Sequence, residues 1–160
     1  MEKKDTKKVL HTLVIIHDHP RVLLGMKKRG FGQGRWNGFG GKLENGESIE
    51  EAAKRETFEE AGIRISDMDK IGILDFEFDG KEEGLEVHLF KAKSFYGNPI
   101  ESEEMSPRWF FMEEIPFAMM WPDDRYWFPF FIRNKKFRAK FKFGEGDKII
   151  GYDLNEVKNL

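Results

Sequence analysis

The sequence contains no cysteine, which excludes disulfides, Cys-ligated zinc and a thiol nucleophile. It also lacks a charge of one sign. Its 27 Lys and Arg stand against 29 Asp and Glu, a balance of −2, so a general polyanion binder is excluded and any basic site must be local. Long apolar runs are missing as well. Behind the charged opening, the stretch from Val9 to Ile16 is interrupted by His11 and Thr12, too short and broken for a signal peptide or a spanning helix. Glu2 excludes N-myristoylation. The expectation is a soluble intracellular protein with no membrane and no nucleic-acid partner.

What remains is an ordinary globular composition, 39% hydrophobic and 35% charged over 160 residues. That length predicts one domain over 1–160, with residues 1–8 as a mobile tail. Val9 to Ile16 reads as a strand covered on both faces, and Arg21 to Met26 as its partner after the turn His17-Asp18-His19-Pro20. Gly30 to Gly41 is dense in glycine and carries Phe31, Trp36 and Phe39, the mark of a loop whose backbone approaches something closely. Ser48 to Ala61 reads as a helix, with Ser48 and Glu51 in a capping-box pattern and Gly62 as its stop.

Further strands are predicted at Leu74 to Phe78, Leu85 to Leu89 and Trp109 to Met112. Pro122-Asp123-Asp124 opens a helical turn that Pro129 must kink or shorten. Lys136 to Phe143 alternates strictly, with Phe137, Ala139, Phe141 and Phe143 on one face and a solvated basic face opposite. The elements together predict one α/β domain.

The Ser48 helix carries an anomaly. At roughly 100° per residue, Glu59 and Glu60 fall within about 60° of Glu56, and so do Ile49, Ala52, Ala53 and Ile63. Three carboxylates on an apolar face repel one another and lose hydration, so a cation must offset them. A hard divalent ion such as Mg²⁺ fits, because it takes oxygen ligands and bridges to phosphates. The alternative is that these glutamates overhang the rim of the core and pair with lysines. The glycine loop before the helix is neither a P-loop, since Trp36 and Leu43 break that pattern, nor a dinucleotide fingerprint. Around Gly38 to Gly41 its backbone could reach both metal and phosphate. Asp123 and Asp124 read equally as helix-start acids or as pocket groups. His17 and His19 flank a turn and make a poor metal clasp.

Taken together, Gly41, five residues, Glu47, seven residues, Arg55-Glu56, two residues, Glu59-Glu60, one residue and Gly62 reproduce the Nudix box. Seven identities at fixed spacing arise by chance on the order of 10⁻⁸ per start position. Thr57 departs from the apolar residue of the pattern, on a side of the helix expected to face away from the carboxylates. Residues 12 to 152 further resemble the animal branch of the Nudix family that acts on oxidised purine nucleotides. The marks are Val22 to Gly32, Arg35 to Lys42, Glu101-Ser-Glu-Glu-Met and Trp121-Pro-Asp-Asp followed by Tyr126-Trp-Phe-Pro.

That resemblance implies an α/β/α sandwich with a mixed sheet between helices. It also implies Mg²⁺-dependent hydrolysis of oxidised purine nucleoside triphosphates to monophosphate and pyrophosphate, with Mn²⁺ as a substitute ion. The substrates implied are 8-oxo-dGTP, 2-hydroxy-dATP and O6-methyl-dGTP, handled by a cytoplasmic monomer with mitochondrial or nuclear fractions. Metal ligands carried over are the Gly40 carbonyl, Glu56, Glu59, Glu60 and Glu104; the four glutamates are also the implied catalytic groups. Glu47 and Arg55 are implied to pair and brace the loop. Substrate contacts carried over are Thr12, Phe31, Asn37, Phe76, Met105 and Phe143, with Trp121, Pro122, Asp123 and Asp124. Lys27 joins them near the phosphate end or the sugar, and Phe39, Gly40, Gly41 and Lys42 complete the implied substrate contacts.

Overall fold

Both faces of the first strand are apolar because both are covered. A computed structural model describes residues 7–160. The expected mobile tail over 1–8 lies mostly outside the described residues, and its last two residues already belong to β1 (Lys7–Asp18). Val14 and Ile16 of β1 join one core cluster while Ile15, between them, joins a second on the opposite face.

The remaining strands are β2 (Arg21–Lys27), β3 (Trp36–Asn37), β4 (Arg64–Phe78), β5 (Glu83–Tyr96), β6 (Met105–Phe111), β7 (Phe137–Phe143) and β8 (Ile149–Glu156). They form one mixed sheet in the order β3-β2-β1-β5-β4-β7-β8, with β6 also pairing β2. β1 runs parallel to β5 and β4 parallel to β7; the other pairs are antiparallel. Two helices, α1 (Ile49–Ala61) and α2 (Asp124–Ile132), cover opposite faces. Ala53 and Ala61 of α1 pack with Val14, Ile16, Phe39 and Phe90. Trp127, Phe128 and Phe131 of α2 pack with Ile15, Leu74, Leu89 and Phe141. The fold is the expected α/β/α sandwich. Among the described residues no helix is long and apolar enough to cross a membrane.

α1 begins as its sequence predicts, with the Ser48 side chain accepting the Glu51 N–H at 3.1 Å. It ends at Gly62, whose φ of 72° is the left-handed value that favours glycine. Spacing at roughly 100° per residue sets the apolar stripe too near Glu56. The buried residues are Ala52, Ala53, Thr57, Glu60 and Ala61, so the stripe is centred closer to Ala53 and Thr57. Thr57 is therefore inside, with its hydroxyl donating to the Ala53 carbonyl at 2.8 Å, rather than turned away. Glu59 falls on the opposite edge and is exposed.

The predicted strand at 74–78 is the C-terminal end of β4, and that at 85–89 lies in the first half of β5. Register shifts in the β4–β5 pairing at Ile65/Asp67, Asp67/Met68 and Lys70/Gly72 break the period-two signal there. β8 was not predicted, because an edge strand half-buried at Ile149 and Leu154 and exposed everywhere else leaves no alternation to see. β7 alternates buried and exposed without exception, as expected. α2 runs through Pro129 and stays short, at 9 residues. Its far end is fastened by the fully buried Lys91, whose Nζ donates to the Phe131 carbonyl and to Asn134 Oδ1, both at 2.8 Å.

Candidate active site

The glycine loop lies flat against β1 where side chains would not fit. A Cβ on Gly40 would sit 1.7 Å from the Thr12 carbonyl oxygen, and one on Gly38 2.6 Å from that of Val14. The contact is a short ladder: Thr12 N–H donates to the Gly41 carbonyl at 2.9 Å, and Phe39 N–H to that of Val14 at 2.8 Å. A Cβ on Gly41 would lie 2.7 Å from Glu56 Oε1, so the loop and the carboxylates of α1 occupy one space.

Arg55 organises these carboxylates. Its Nε and Nη2 grip Glu47 at 2.6 and 2.9 Å in the bracing pair expected, Nη1 reaches Glu56 at 3.0 Å and Glu59 at 3.2 Å, and Nη2 donates to the Lys42 carbonyl. The Arg55 guanidinium beside Glu47 holds that carboxyl below its ordinary range. Glu60 has no such partner. It is 5% exposed and accepts the Gly40 N–H at 2.8 Å, and burial pushes its carboxyl up to about 7. Burial also raises Glu56. Glu104 arrives from the loop before β6 and is bound by Arg29 at 2.7 Å and Lys27 at 3.2 Å, contacts that lower its pKa.

This set is all oxygen and strongly anionic, which is the donor chemistry of a hard divalent cation. Among the described residues no three metal-ligating side chains converge on one point. The nearby positive charge is that of Arg55, Lys27 and Arg29, which hold Glu56, Glu59 and Glu104. The buried Glu60, which makes no ion pair among the described residues, and the glycine cradle at Gly41 are what fit such an ion.

From Glu60 a cavity of 260 Å³ runs across the sheet to the start of α2. Gly40, Gly41, Lys27 and Thr12 line its α1 end, and Asn37, Met105, Phe76 and Phe143 its length. Phe31, Trp121, Asp123 and Asp124 line the far end, so these expected contacts are brought together. Three are not. Phe39 is fully buried in the core beneath α1, Lys42 is exposed and offers its carbonyl to Arg55, and Pro122 is half-buried beside the cavity. A run of aromatics in a loop does not reveal which ring turns inward.

Asp123 and Asp124 are both buried, and Asp123 makes no cap hydrogen bond to α2. Its carboxylate accepts the Trp127 indole N–H at 2.8 Å instead, and both aspartates line the cavity while standing at the start of α2. Burial raises Asp123, and burial together with the Asp123 charge drives Asp124 well above the usual carboxylate range. Hydrogen bonding between the two favours the proton on Asp124 and the charge on Asp123. Asp124 Oδ2 and Thr12 Oγ1 are buried without a partner, two polar atoms on the cavity wall. Asn37 Oδ1 accepts the Gly38 N–H at 2.8 Å, which leaves its amide hydrogens for a ligand. The aromatic wall is Phe31 against Trp121 at 5.0 Å, Trp121 against Phe143 at 5.7 Å and Phe78 stacked on Phe143.

Three members of the site went unread in the sequence. Trp127 stands four residues after Asp123, a spacing that on a helix brings side chains together and could have found it. Phe78 and Val87 carried no local signal beyond a strand pattern.

A glycine loop braced to a carboxylate-bearing helix by an Arg–Glu pair, on a mixed sheet between two helices, defines a class. Residues 7–131 match the NUDIX domain, and the chain belongs to that family. It is 55% identical to the oxidized purine nucleoside triphosphate hydrolase of Mus musculus over 94% of this chain and 97% of the mouse protein. It is 51% identical to the protein of the same name from Danio rerio over 97% and 99% of the two chains. The crystal structure of a mutator MutT protein from Bacillus halodurans superposes with a TM-score of 0.83 at 30% identity, covering 92% of this chain and 97% of that one.

Proposed function

We propose that this chain hydrolyses oxidised purine nucleoside triphosphates to the monophosphate and pyrophosphate, with Mg²⁺ as the working ion. One observation carries the reading: one cavity runs from Glu60 of α1 and the glycine loop to the buried acid pair, so it suits a ligand with phosphates at one end and a polar planar base at the other. The vertebrate relatives at 51% and 55% identity, whose names specify that substrate class, support it.

The Gly40 carbonyl, Glu56, Glu60 and Glu104 would hold the ion, with Glu59 alongside on the Arg55 tether. Bound there, a divalent cation supplies charge neutralisation for the triphosphate and lowers the pKa of water. The protein's own groups do the rest. Arg55, fixed by Glu47, keeps the α1 carboxylates aligned with the glycine loop. Lys27, on the cavity wall, meets phosphate oxygens. Glu60, held near neutrality by burial and anchored at Oε1 by Gly40, takes up a proton at Oε2.

At the base end the aromatic and Met105 contacts receive the purine faces. Asp124 donates and Asp123 accepts along the polar edge, and exchange of the proton between them admits both 8-oxo-guanine and 2-hydroxy-adenine. O6-methyl-guanine, which has lost an N–H, is accommodated by the same exchange.

The test is a panel of oxidised, methylated and plain purine triphosphates, with pyrophosphate release measured in Mg²⁺. The expected result is kcat/KM for 8-oxo-dGTP at least about tenfold above that for dGTP, the scale set by hydrogen-bond readout of a base edge. Preference for a dinucleoside polyphosphate, or for another diphosphate-linked nucleotide, would move the chain to a different Nudix activity.

A further inference from the structure

Arg35 belongs to the glycine loop but to neither end of the reaction described above. Its guanidinium lies over the Trp121 indole, 4.1 Å from the ring centre, and its Nη1 donates to Asp147 Oδ2 at 3.0 Å. Those two contacts join three segments distant in the chain: the loop, the approach to α2 and the connection between β7 and β8. The loop leans on the same ring elsewhere. A Cβ on Gly32 would sit 3.3 Å from Trp121 Nε1, and the Phe31 ring centre is 5.0 Å away.

On the other side, Trp121 meets the last residue of β7, Phe143, edge-on at 5.7 Å. Four residues further, Asp147 has a φ of 60°, in the left-handed region that few side chains other than Asn and Asp enter. A left-handed backbone position is thus occupied by the carboxylate that pairs with Arg35.

We propose that Arg35 and Asp147 form a clasp that fixes Trp121 as a wall for the purine, which makes Arg35 a positioning residue for base binding. The proposal rests on the reading that a purine occupies this cavity. An unheld indole must lose its rotamer freedom when a base packs against it; one stacked under a tethered guanidinium has lost that freedom beforehand. The arginine is better suited than a lysine, because its planar group stacks on the ring while its N–H edge serves the carboxylate. The charge also reaches the acid pair, where it favours the ionised form of both aspartates.

The experiment measures kcat and KM for 8-oxo-dGTP in the wild type, Arg35→Ala, Asp147→Asn, the double variant and Arg35→Lys, with melting temperatures taken alongside. Asn tolerates the left-handed backbone, so Asp147→Asn removes the charge and leaves the turn. Arg35→Ala should raise KM roughly three- to tenfold with kcat within about twofold, the pattern of lost ground-state binding. Asp147→Asn should raise KM by a smaller factor. The double variant should be no worse than Arg35→Ala, because the two residues act in series. Arg35→Lys should recover part of the loss.

An unchanged KM in a folded Arg35→Ala, a defect confined to kcat, or effects that multiply in the double variant would overturn the clasp. If Arg35→Ala does not fold, Asp147→Asn and Arg35→Lys decide by the same KM criterion. Binding of 8-oxo-dGMP to the same proteins, read by calorimetry, keeps the two claims apart. A wild type that binds the monophosphate yet releases no pyrophosphate defeats the functional reading alone, whereas an unchanged Kd in Arg35→Ala defeats the clasp alone.

Discussion

The two ends of the cavity use the same functional group in opposite ways. At the α1 end Glu47, Glu56, Glu59 and Glu104 each touch a guanidinium or an ammonium, and direct contact with those cations lowers Glu47 and Glu104. At the α2 end Asp123 and Asp124 form no ion pair among the described residues, Asp123 accepts an indole N–H, and burial holds both up. Glu60 is intermediate, on the α1 helix yet buried like the aspartates. The difference shows how a protein divides labour among carboxyls. Basic neighbours favour the ionised carboxylate, whereas burial and a twin acid favour a carboxyl that keeps a proton and can either donate or accept.

The sharpest way to break this contrast is at Glu60. Glu60→Gln keeps the shape and the Gly40 hydrogen bond while removing the charge, and kcat should fall by at least about 10²-fold. Turnover near wild type at saturating Mg²⁺ would take Glu60 out of the chemistry. Asp123→Asn comes next. Unable to exchange a proton with Asp124, it should change selectivity between 8-oxo-dGTP and 2-hydroxy-dATP by roughly tenfold. An equal loss for both substrates, or none, contradicts the two-acid exchange.

The smallest effect is on stability. Asp124 keeps its proton in the folded chain far above the pH at which it ionises when unfolded. In that window the folded state binds more protons, so stability falls as pH rises. Asp124→Asn, which cannot ionise, should melt with the wild type near pH 4 and at least ~3 °C above it near pH 8. Parallel melting curves at both values would show that Asp124 ionises normally.

Much of the α1 end was legible because its logic is local. Ser48 and Gly62 bound the helix, and the Glu56, Glu59 and Glu60 spacing puts them within a turn of one another. Even so, an idealised wheel placed Glu59 inside and Thr57 outside, since only packing fixes where the stripe is centred. The α2 end was legible mainly through family likeness. Whether Asp123 caps a helix or faces a cavity depends on where Trp127 turns, and the hydrogen bond between them forms only once α2 is docked. Arg35 and Asp147 stand 112 positions apart, joined by a fold whose sheet order could not be read from either segment. β8 stayed hidden because an exposed edge strand has no buried face to imprint a pattern.

The contrast between the two ends can be measured directly by a carbon-13 NMR titration of the labelled aspartate and glutamate carboxyls, assigned with the single-site variants above. The account predicts that at pH 7 Asp124 carries its proton while Glu47 and Glu104 are ionised, and that those two remain ionised below the usual glutamate range. Asp124 titrating near the ordinary value of about 4, together with Glu104, would contradict it.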